Sequence, residues 1–253
     1  MKKRLDVLLV ERGLADSRAQ AQALVLAGRV SGHAKAGEQV DEDVELVVEK
    51  SPRYVSRGGE KLEHALAELE VTVEGARCLD VGASTGGFTD CLLQHGAARV
   101  IALDVGYGQL HERLRADERV TVLERVNVRH VPALEYAPEL VTCDVSFISL
   151  RTALPPALAA AAPGWRALVL VKPQFEAGRA EGKRGVVRDP DVHARVLHEI
   201  ASAALAWDAR VAGVVNSGLP GPKGNREFFF HLVHDDAARL PDELDDWIAA
   251  AVG

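Results

Sequence analysis

From Arg77 onward the chain repeats one pattern, in which a short apolar run is followed by a turn and then by a helical stretch. The runs are Arg77–Val81, Arg99–Asp104, Val120–Leu123, Leu140–Val145, Ala167–Val171, Val211–Val215 and Glu227–Leu232. Strands covered on both faces read as continuous apolar segments, because neither face can be polar. Helical stretches separate the first six, as crossovers between parallel strands require. The last two are close in sequence, which predicts an antiparallel closing strand. The expected fold class is α/β: a Rossmann-like, doubly wound domain with a seven-stranded, mostly parallel sheet.

The residues before this pattern form a different unit. Leu5, Leu8 and Leu9 recur at helical spacing and Gly13 interrupts them. Asp16-Ser17 offers an N-cap for a second helix with an apolar stripe of Ala19, Ala23 and Leu26, which Gly28 ends. From Val30 the turns at Gly32 and Gly37 predict short strands through Val44–Val48. The expected organisation is a small α+β domain over 1–50, a linker over 51–56 and the α/β domain over 57–253. The larger domain is entered by a helix bearing Lys61, Leu62, Ala65, Leu66 and Leu69.

The net charge of −7 is unevenly spread. Residues 1–35 hold seven Lys and Arg against Asp6, Glu11 and Asp16, a local +4 that leaves −11 for the remainder. Phosphate affinity follows local charge, since counterion release counts only the phosphates neutralised. The small domain is therefore the expected nucleic-acid grip. Cys78, Cys91 and Cys143 are far apart within apolar stretches, which predicts buried free thiols and neither a disulfide framework nor a metal site. No stretch reaches the ~20 apolar residues of a membrane span. Asp6 and Glu11 interrupt what would have to be the apolar core of a signal peptide, so a cytoplasmic protein with no membrane partner is expected.

The turn Asp80-Val81-Gly82-Ala83-Ser84-Thr85-Gly86-Gly87-Phe88 joins the first strand to its helix, the expected ligand position in an open α/β sheet. Three readings compete. A dinucleotide fingerprint needs glycine at 82, 84 and 87, but residue 84 is Ser. A hydrolase elbow matches Gly82–Gly86 and would draw on Asp144 with His231 or His234, yet no oxyanion-hole glycine cluster precedes it. An S-adenosylmethionine site uses Gly82, Ser84, Thr85, Gly86, Gly87 and Phe88 as the cradle. Asp80 would hold the amino-acid end, Asp104 the ribose hydroxyls from the end of the second strand, and Asn127 the adenine. As alternatives, Asp80 and Asp104 cap neighbouring helices and Asn127 serves a turn.

Two further charged residues end apolar strands. Asp144 follows Leu140–Cys143, and Lys172 follows Leu168–Val171 directly before Pro173. Carboxyl ends of adjacent parallel strands share one rim, which brings this pair to the cofactor edge. Lys61, from the entering helix, is within reach of the same pocket, and Glu227 opens the run Phe228-Phe229-Phe230. A partly desolvated lysine beside other cations gives up its proton more readily and serves as a base. A structural ion-pair network at strand ends is the plain alternative.

Five ordered blocks now resemble a known family: Val55–Leu62, Leu79–Thr89, Cys143–Leu150, Val171–Glu176 and Gly224–Phe228. They are similar to the TlyA ribosomal RNA methyltransferases, which also carry the label hemolysin A. The resemblance implies an S4-like RNA-binding domain followed by an FtsJ-like methyltransferase domain. It implies a catalytic tetrad of Lys61, Asp144, Lys172 and Glu227, and transfer of a methyl group to ribose 2′-oxygens of cytidines in ribosomal RNA. Lys172 would take the hydroxyl proton while Asp144 orients it.

The N-terminal part is similar to S4 domains through Arg4-Leu5-Asp6, Ser17-Arg18 and Gly28-Arg29-Val30, and departs from them afterwards with Val30–Lys35 and the acidic Glu38–Glu45 stretch. Arg4, Arg12, Arg18 and Arg29 are the expected RNA contacts. Arg179, Lys183, Arg184 and Arg188, in a segment with Gly178, Gly182 and Gly185, form a second basic cluster, read either as a lid over bound RNA or as a plain solvated loop. The competing functions are a membrane-active haemolysin and a non-catalytic RNA-binding assembly factor.

Overall fold

The computed structural model describes residues 2–48, 52–178, 181 and 185–253. The chain forms two compact units, Met1–Arg53 and Tyr54–Gly253.

In the first unit, β1 (Lys2–Arg4) runs directly into α1 (Leu5–Glu11), and α2 (Arg18–Leu26) follows with the Ser17 hydroxyl accepting from the Gln20 N–H. β1 pairs antiparallel with β2 (Gln39–Asp41), and Val30 bridges Val48. A strand over Lys2–Arg4 was not expected, since three consecutive charges carry no strand pattern and its partner is remote in sequence. The core is Leu5, Leu8, Leu9, Ala15, Ala21, Val25, Val30 and Val40. The expected stripe on α2 needs correction: Ala19 and Ala23 are exposed and Leu26 is 88% exposed, while Ala21 and Val25 face the core. An alternating Ala-Gln helix offers two stripes of equal spacing, and only the packing against α1 selects one.

The second unit begins with α3 (Arg57–Glu68), whose Leu62, Ala65 and Leu66 are buried. Strands β3 (Arg77–Val81), β4 (Arg99–Leu103), β5 (Val120–Leu123), β6 (Leu140–Cys143) and β7 (Arg166–Val171) run parallel to one another. Between them lie α4 (Gly87–Gln94), α5 (Glu112–Arg115) and α6 (Leu150–Ala159). After β7 come α7 (Pro173–Glu176), α8 (Pro190–Ala204), β8 (Ala209–Asn216), β9 (Phe228–His234) and α9 (Leu244–Val252). The strand order is β5-β4-β3-β6-β7-β9-β8, with β9 antiparallel to both neighbours.

Two expectations change. β9 does not close an edge but inserts between β7 and β8, which explains why Phe228, Phe229 and Phe230 are all fully buried: an interior strand is covered on both faces. The connection from β5 to β6 holds no α-helix, only a 3-10 turn at Val128–His130.

The sheet has apolar layers on both faces. Leu62, Leu66, Cys91 and Leu92 of α3 and α4 pack on one, and Leu154, Leu197, Ile200 and Ile248 of α6, α8 and α9 on the other. Cys78, Cys91 and Cys143 are buried free thiols, and burial pushes Cys78 up to about 12, far from a reactive thiolate. The strand order reverses beside β3, so the crevice opens between the carboxyl ends of β3 and β6. No helix among the described residues is long and apolar enough to cross a membrane.

Candidate active site

The glycine turn fits its position through backbone shape. Gly82 has φ +83°, and a methyl group there would collide with the Asp144 carbonyl oxygen, so β3 and β6 approach closely only with glycine. Gly82 and Ala83 donate their N–H groups to the Leu103 carbonyl at 2.8 and 3.1 Å, which ties the turn to β4. Ser84 adopts φ +50°, a left-handed bend like that of glycine. Its N–H donates to Asp104 Oδ2 at 2.8 Å, and the Gly106 N–H donates to Asp104 Oδ1 at 2.6 Å. Gly86, with φ +99°, precedes α4 and packs under Leu110 and Leu114.

Two cavities flank this turn and share Gly82, Ser84 and Asp144 in their walls. The first, about 540 Å³, is further lined by Thr85, Gly87, Phe88, Lys61, Lys172 and Glu227. The second, about 510 Å³, has Asp104, Gln109 and Asn127 with apolar Val105, Val126 and Ile148. Asn127 Oδ1 accepts the Arg129 N–H at 3.1 Å, so its amide carries a local turn as well as a wall.

The four tetrad residues all reach the first cavity, as two ion pairs. Lys61 Nζ lies 2.6 Å from Glu227 Oε2, with side chains 10% and 0% exposed. Lys172 Nζ pairs with Asp144 Oδ1 and donates to Ser146 Oγ at 3.1 Å. Gln174 Nε2 donates to the other Glu227 oxygen at 3.2 Å. Pro220 and Gly221 form a further wall, held where Arg57 donates to the Pro220 carbonyl at 2.9 Å.

Other expected residues lie elsewhere. Asp80 and Gly86 line neither cavity. Asp80 is fully buried beneath the turn, accepting from Thr89 Oγ1 at 2.7 Å and Thr142 Oγ1 at 2.9 Å, and burial pushes its carboxyl up to about 6. It lies one residue short of the end of β3, so it faces the α4 layer and not the rim. The hydrolase reading fails: Ser84 Oγ bonds Gln109 Oε1 at 3.3 Å, His231 lies within β9 and His234 stacks on Trp165 at the opposite rim.

Ser146, Phe147, Gln174 and the Pro220 wall escaped the sequence reading. Phe147 is 91% exposed with φ +64°, and nothing in its local sequence announces that bend. The Pro-Gly pair at 220–221 is a turn signature that marks such a wall.

In the first unit, Arg4 and Arg18 converge on Asp6. Arg4 Nε and Nη2 donate to its carboxylate at 3.0 and 2.9 Å, Arg18 Nη2 at 3.1 Å and Gln22 Nε2 at 2.9 Å. The Arg4 guanidinium foremost, with Gln22 and Arg18, holds this fully buried carboxyl well below the usual range, against the opposing effect of burial. Arg12, also expected among the RNA contacts, donates to the Val44 and Glu42 carbonyls at 2.6 and 2.5 Å. Arg29 is half-buried. Arg179, Lys183 and Arg184, three of the four cations of the expected lid, lie outside the described residues.

An S4-type α+β unit joined to a switch-point crevice with a glycine cradle, an acid after the second strand and lysine–acid pairs on the rim defines a nucleic-acid-directed enzyme of the class I methyltransferase fold. The family model for FtsJ-like methyltransferases matches residues 54–234, and that for S4 domains matches residues 3–31. The chain belongs to the FtsJ-like methyltransferase family, in its TlyA branch. It is 46% identical to the 16S/23S rRNA (cytidine-2′-O)-methyltransferase TlyA of Mycobacterium tuberculosis, over 98% of this chain and 97% of that one. With the YqxC protein of Bacillus subtilis it shares 50% identity over 96% and 91% of the two chains. A solved Streptococcus thermophilus structure carrying the hemolysin label is 41% identical, with a TM-score of 0.77 over 99% of this chain and 95% of that one.

Proposed function

We propose that this protein transfers a methyl group from S-adenosylmethionine to a ribose 2′-hydroxyl of ribosomal RNA, with cytidine as the target nucleoside. The Mycobacterium tuberculosis relative, matched over almost its whole length, carries that activity in its name. The observation that carries the reading is the position of Lys172 in the wall of the first cavity, held by Ser146 and by Asp144, which both cavities share.

The donor set fits the cofactor. Asp104 offers a carboxylate to ribose hydroxyls at a strand end, beside apolar walls of a size for a nucleoside. The glycine cradle leaves no room for side chains and opens the start of α4 to the first cavity, as an amino-acid carboxylate requires. When bound, the cofactor supplies an electrophilic sulfonium methyl group.

The remaining chemistry belongs to the chain. Lys172, in its amine form, accepts the 2′-hydroxyl proton as that oxygen forms the new C–O bond. Asp144 and Ser146 fix the rotamer of Lys172 so that its nitrogen faces the hydroxyl. Lys61, clamped by Glu227 on the facing wall, puts positive charge near the oxygen as negative charge develops there. Arg4 and Arg18 of the S4-type unit bind phosphates of the RNA.

Ribosomal subunits incubated with labelled cofactor provide the test. Lys172→Ala is expected to abolish transfer while cofactor binding, followed by calorimetry, persists. Wild-type transfer by both Lys172→Ala and Asp144→Ala would refute the assignment.

A further inference from the structure

The segment from Lys172 through α7 is held on several sides. Lys172 pairs with Asp144, and the Phe175 ring lies 5.0 Å from that of Phe147. Glu176 accepts from Ser149 Oγ at 2.6 Å and from the Leu150 N–H at 2.7 Å, closing the start of α6. These three side chains bind the turn to the 144–150 segment after β6. Gln174 points elsewhere, to Glu227 at the start of β9.

Glu227 is almost completely buried, and each carboxylate oxygen has one donor: Lys61 Nζ on Oε2 and Gln174 Nε2 on Oε1. The orientation of the Gln174 amide is fixed by chemistry, because the reverse would set its carbonyl oxygen against a carboxylate. The terminal torsion of a glutamate is soft, so a carboxylate held at one oxygen swings and one held at both does not. Any swing of Glu227 carries the Lys61 ammonium with it. Gln174 also lies two residues after Lys172, which links the two lysine–acid pairs through a single turn.

We propose that Gln174 is a positioning residue of this site: by holding Glu227 it fixes Lys61 relative to Lys172 across the cavity. The inference rests on the methyl-transfer reading above. Gln174 lines neither cavity, so it acts through Glu227 and not on the substrate.

The test uses the full-length protein with ribosomal subunits and labelled cofactor. Gln174→Met keeps the length and removes the N–H. Losing a hydrogen bond to a charged group costs about 10-fold to 100-fold, and here that loss should fall on kcat. KM for the subunits and the affinity for S-adenosylmethionine should stay within about twofold, since no wall is altered. Added to Glu227→Gln, the same substitution should lower kcat no further, because two residues acting through one bond are not independent. Gln174→Glu supplies a pH readout. A protonated Glu at 174 still donates to Glu227, whereas an ionised one repels it, so its activity relative to wild type should fall as pH rises.

A wild-type kcat for Gln174→Met, or its full effect multiplied onto Glu227→Gln, overturns the proposal. If Gln174→Met does not fold, the pH profile of Gln174→Glu decides, and a flat ratio overturns it. Should Glu227→Gln itself transfer methyl groups at the wild-type rate, the tetrad assignment is what fails. A slow Glu227→Gln beside a fast Gln174→Met removes only the role of Gln174.

Discussion

Lys61 and Glu227, 166 positions apart in sequence, meet at 2.6 Å with the glutamate side chain fully out of water. Desolvating both charges offsets most of their attraction, so the pair itself adds little stability, but breaking it strands a buried charge. Lys61→Met should therefore destabilise the fold by about 3–5 kcal/mol, measured by urea unfolding. Lys61→Met combined with Glu227→Leu should recover most of that stability while methyl transfer stays lost. A double variant no more stable than the single one would show that packing, and not the stranded charge, sets the cost.

Gly82 and Gly108 both have positive φ, at +83° and +68°, but differ in surroundings. Nothing lies within 4 Å of a side chain added at Gly108, whereas one at Gly82 meets the Asp144 carbonyl. Gly108→Ala should cost only the left-handed backbone penalty, about 1 kcal/mol. Gly82→Ala must also push β6 away from β3 and should cost a further ~1–3 kcal/mol, with weaker cofactor binding because both cavities share that wall. Equal melting temperatures and equal cofactor affinities for the two variants would contradict the close approach.

How legible was this site in the sequence? Asp104, Asp144 and Lys172 each stand one residue past a strand's last position, and each reaches the rim. Asp80 has the same residue type and setting but is within β3, in register with Thr142, and so faces a helix layer. One residue of strand length separates the two fates, and apolar runs do not fix strand ends that finely. The parallel strands were legible because burial on both faces forces unbroken apolar runs. The place of β9 was not, since strand order is set by how crossovers pack. Gln174 and Phe147 escaped for a related reason: their partners are supplied by other segments, and nothing local records them.

Asp80 supplies a pH prediction. Burial pushes its carboxyl from the ordinary 3.8 up to about 6, so the folded state prefers the protonated form. Its contribution is then full below pH about 4 and is lost as pH rises through about 6, where the fold must carry a buried carboxylate. Asp80→Asn keeps a partner for each threonine and removes that cost, by up to about 3 kcal/mol. Urea unfolding should show the variant gaining on wild type between pH 4.5 and 7.5. An identical stability difference at both pH values would mean that Asp80 does not titrate in the folded protein.

Asp6 separates charge from geometry in the S4-type unit. Asp6→Asn makes that unit one charge more positive, and Coulombic attraction alone would then tighten RNA binding and steepen its salt dependence. The structure argues for the reverse. Asp6 gathers guanidinium groups from the end of β1 and the start of α2, leaving both partly exposed at 44% and 57% with donors to spare. Without the carboxylate, two arginines of high rotamer entropy repel each other and must be ordered again when a phosphate arrives. Binding of ribosomal RNA fragments to the full-length variant should weaken several-fold near physiological salt, with a shallower salt slope because fewer phosphates are neutralised. Filter binding across a salt series measures both quantities, with a thermal melt confirming that the unit is folded. Tighter binding with a steeper slope would mean that the arginines act as independent surface charges and that Asp6 serves only the fold.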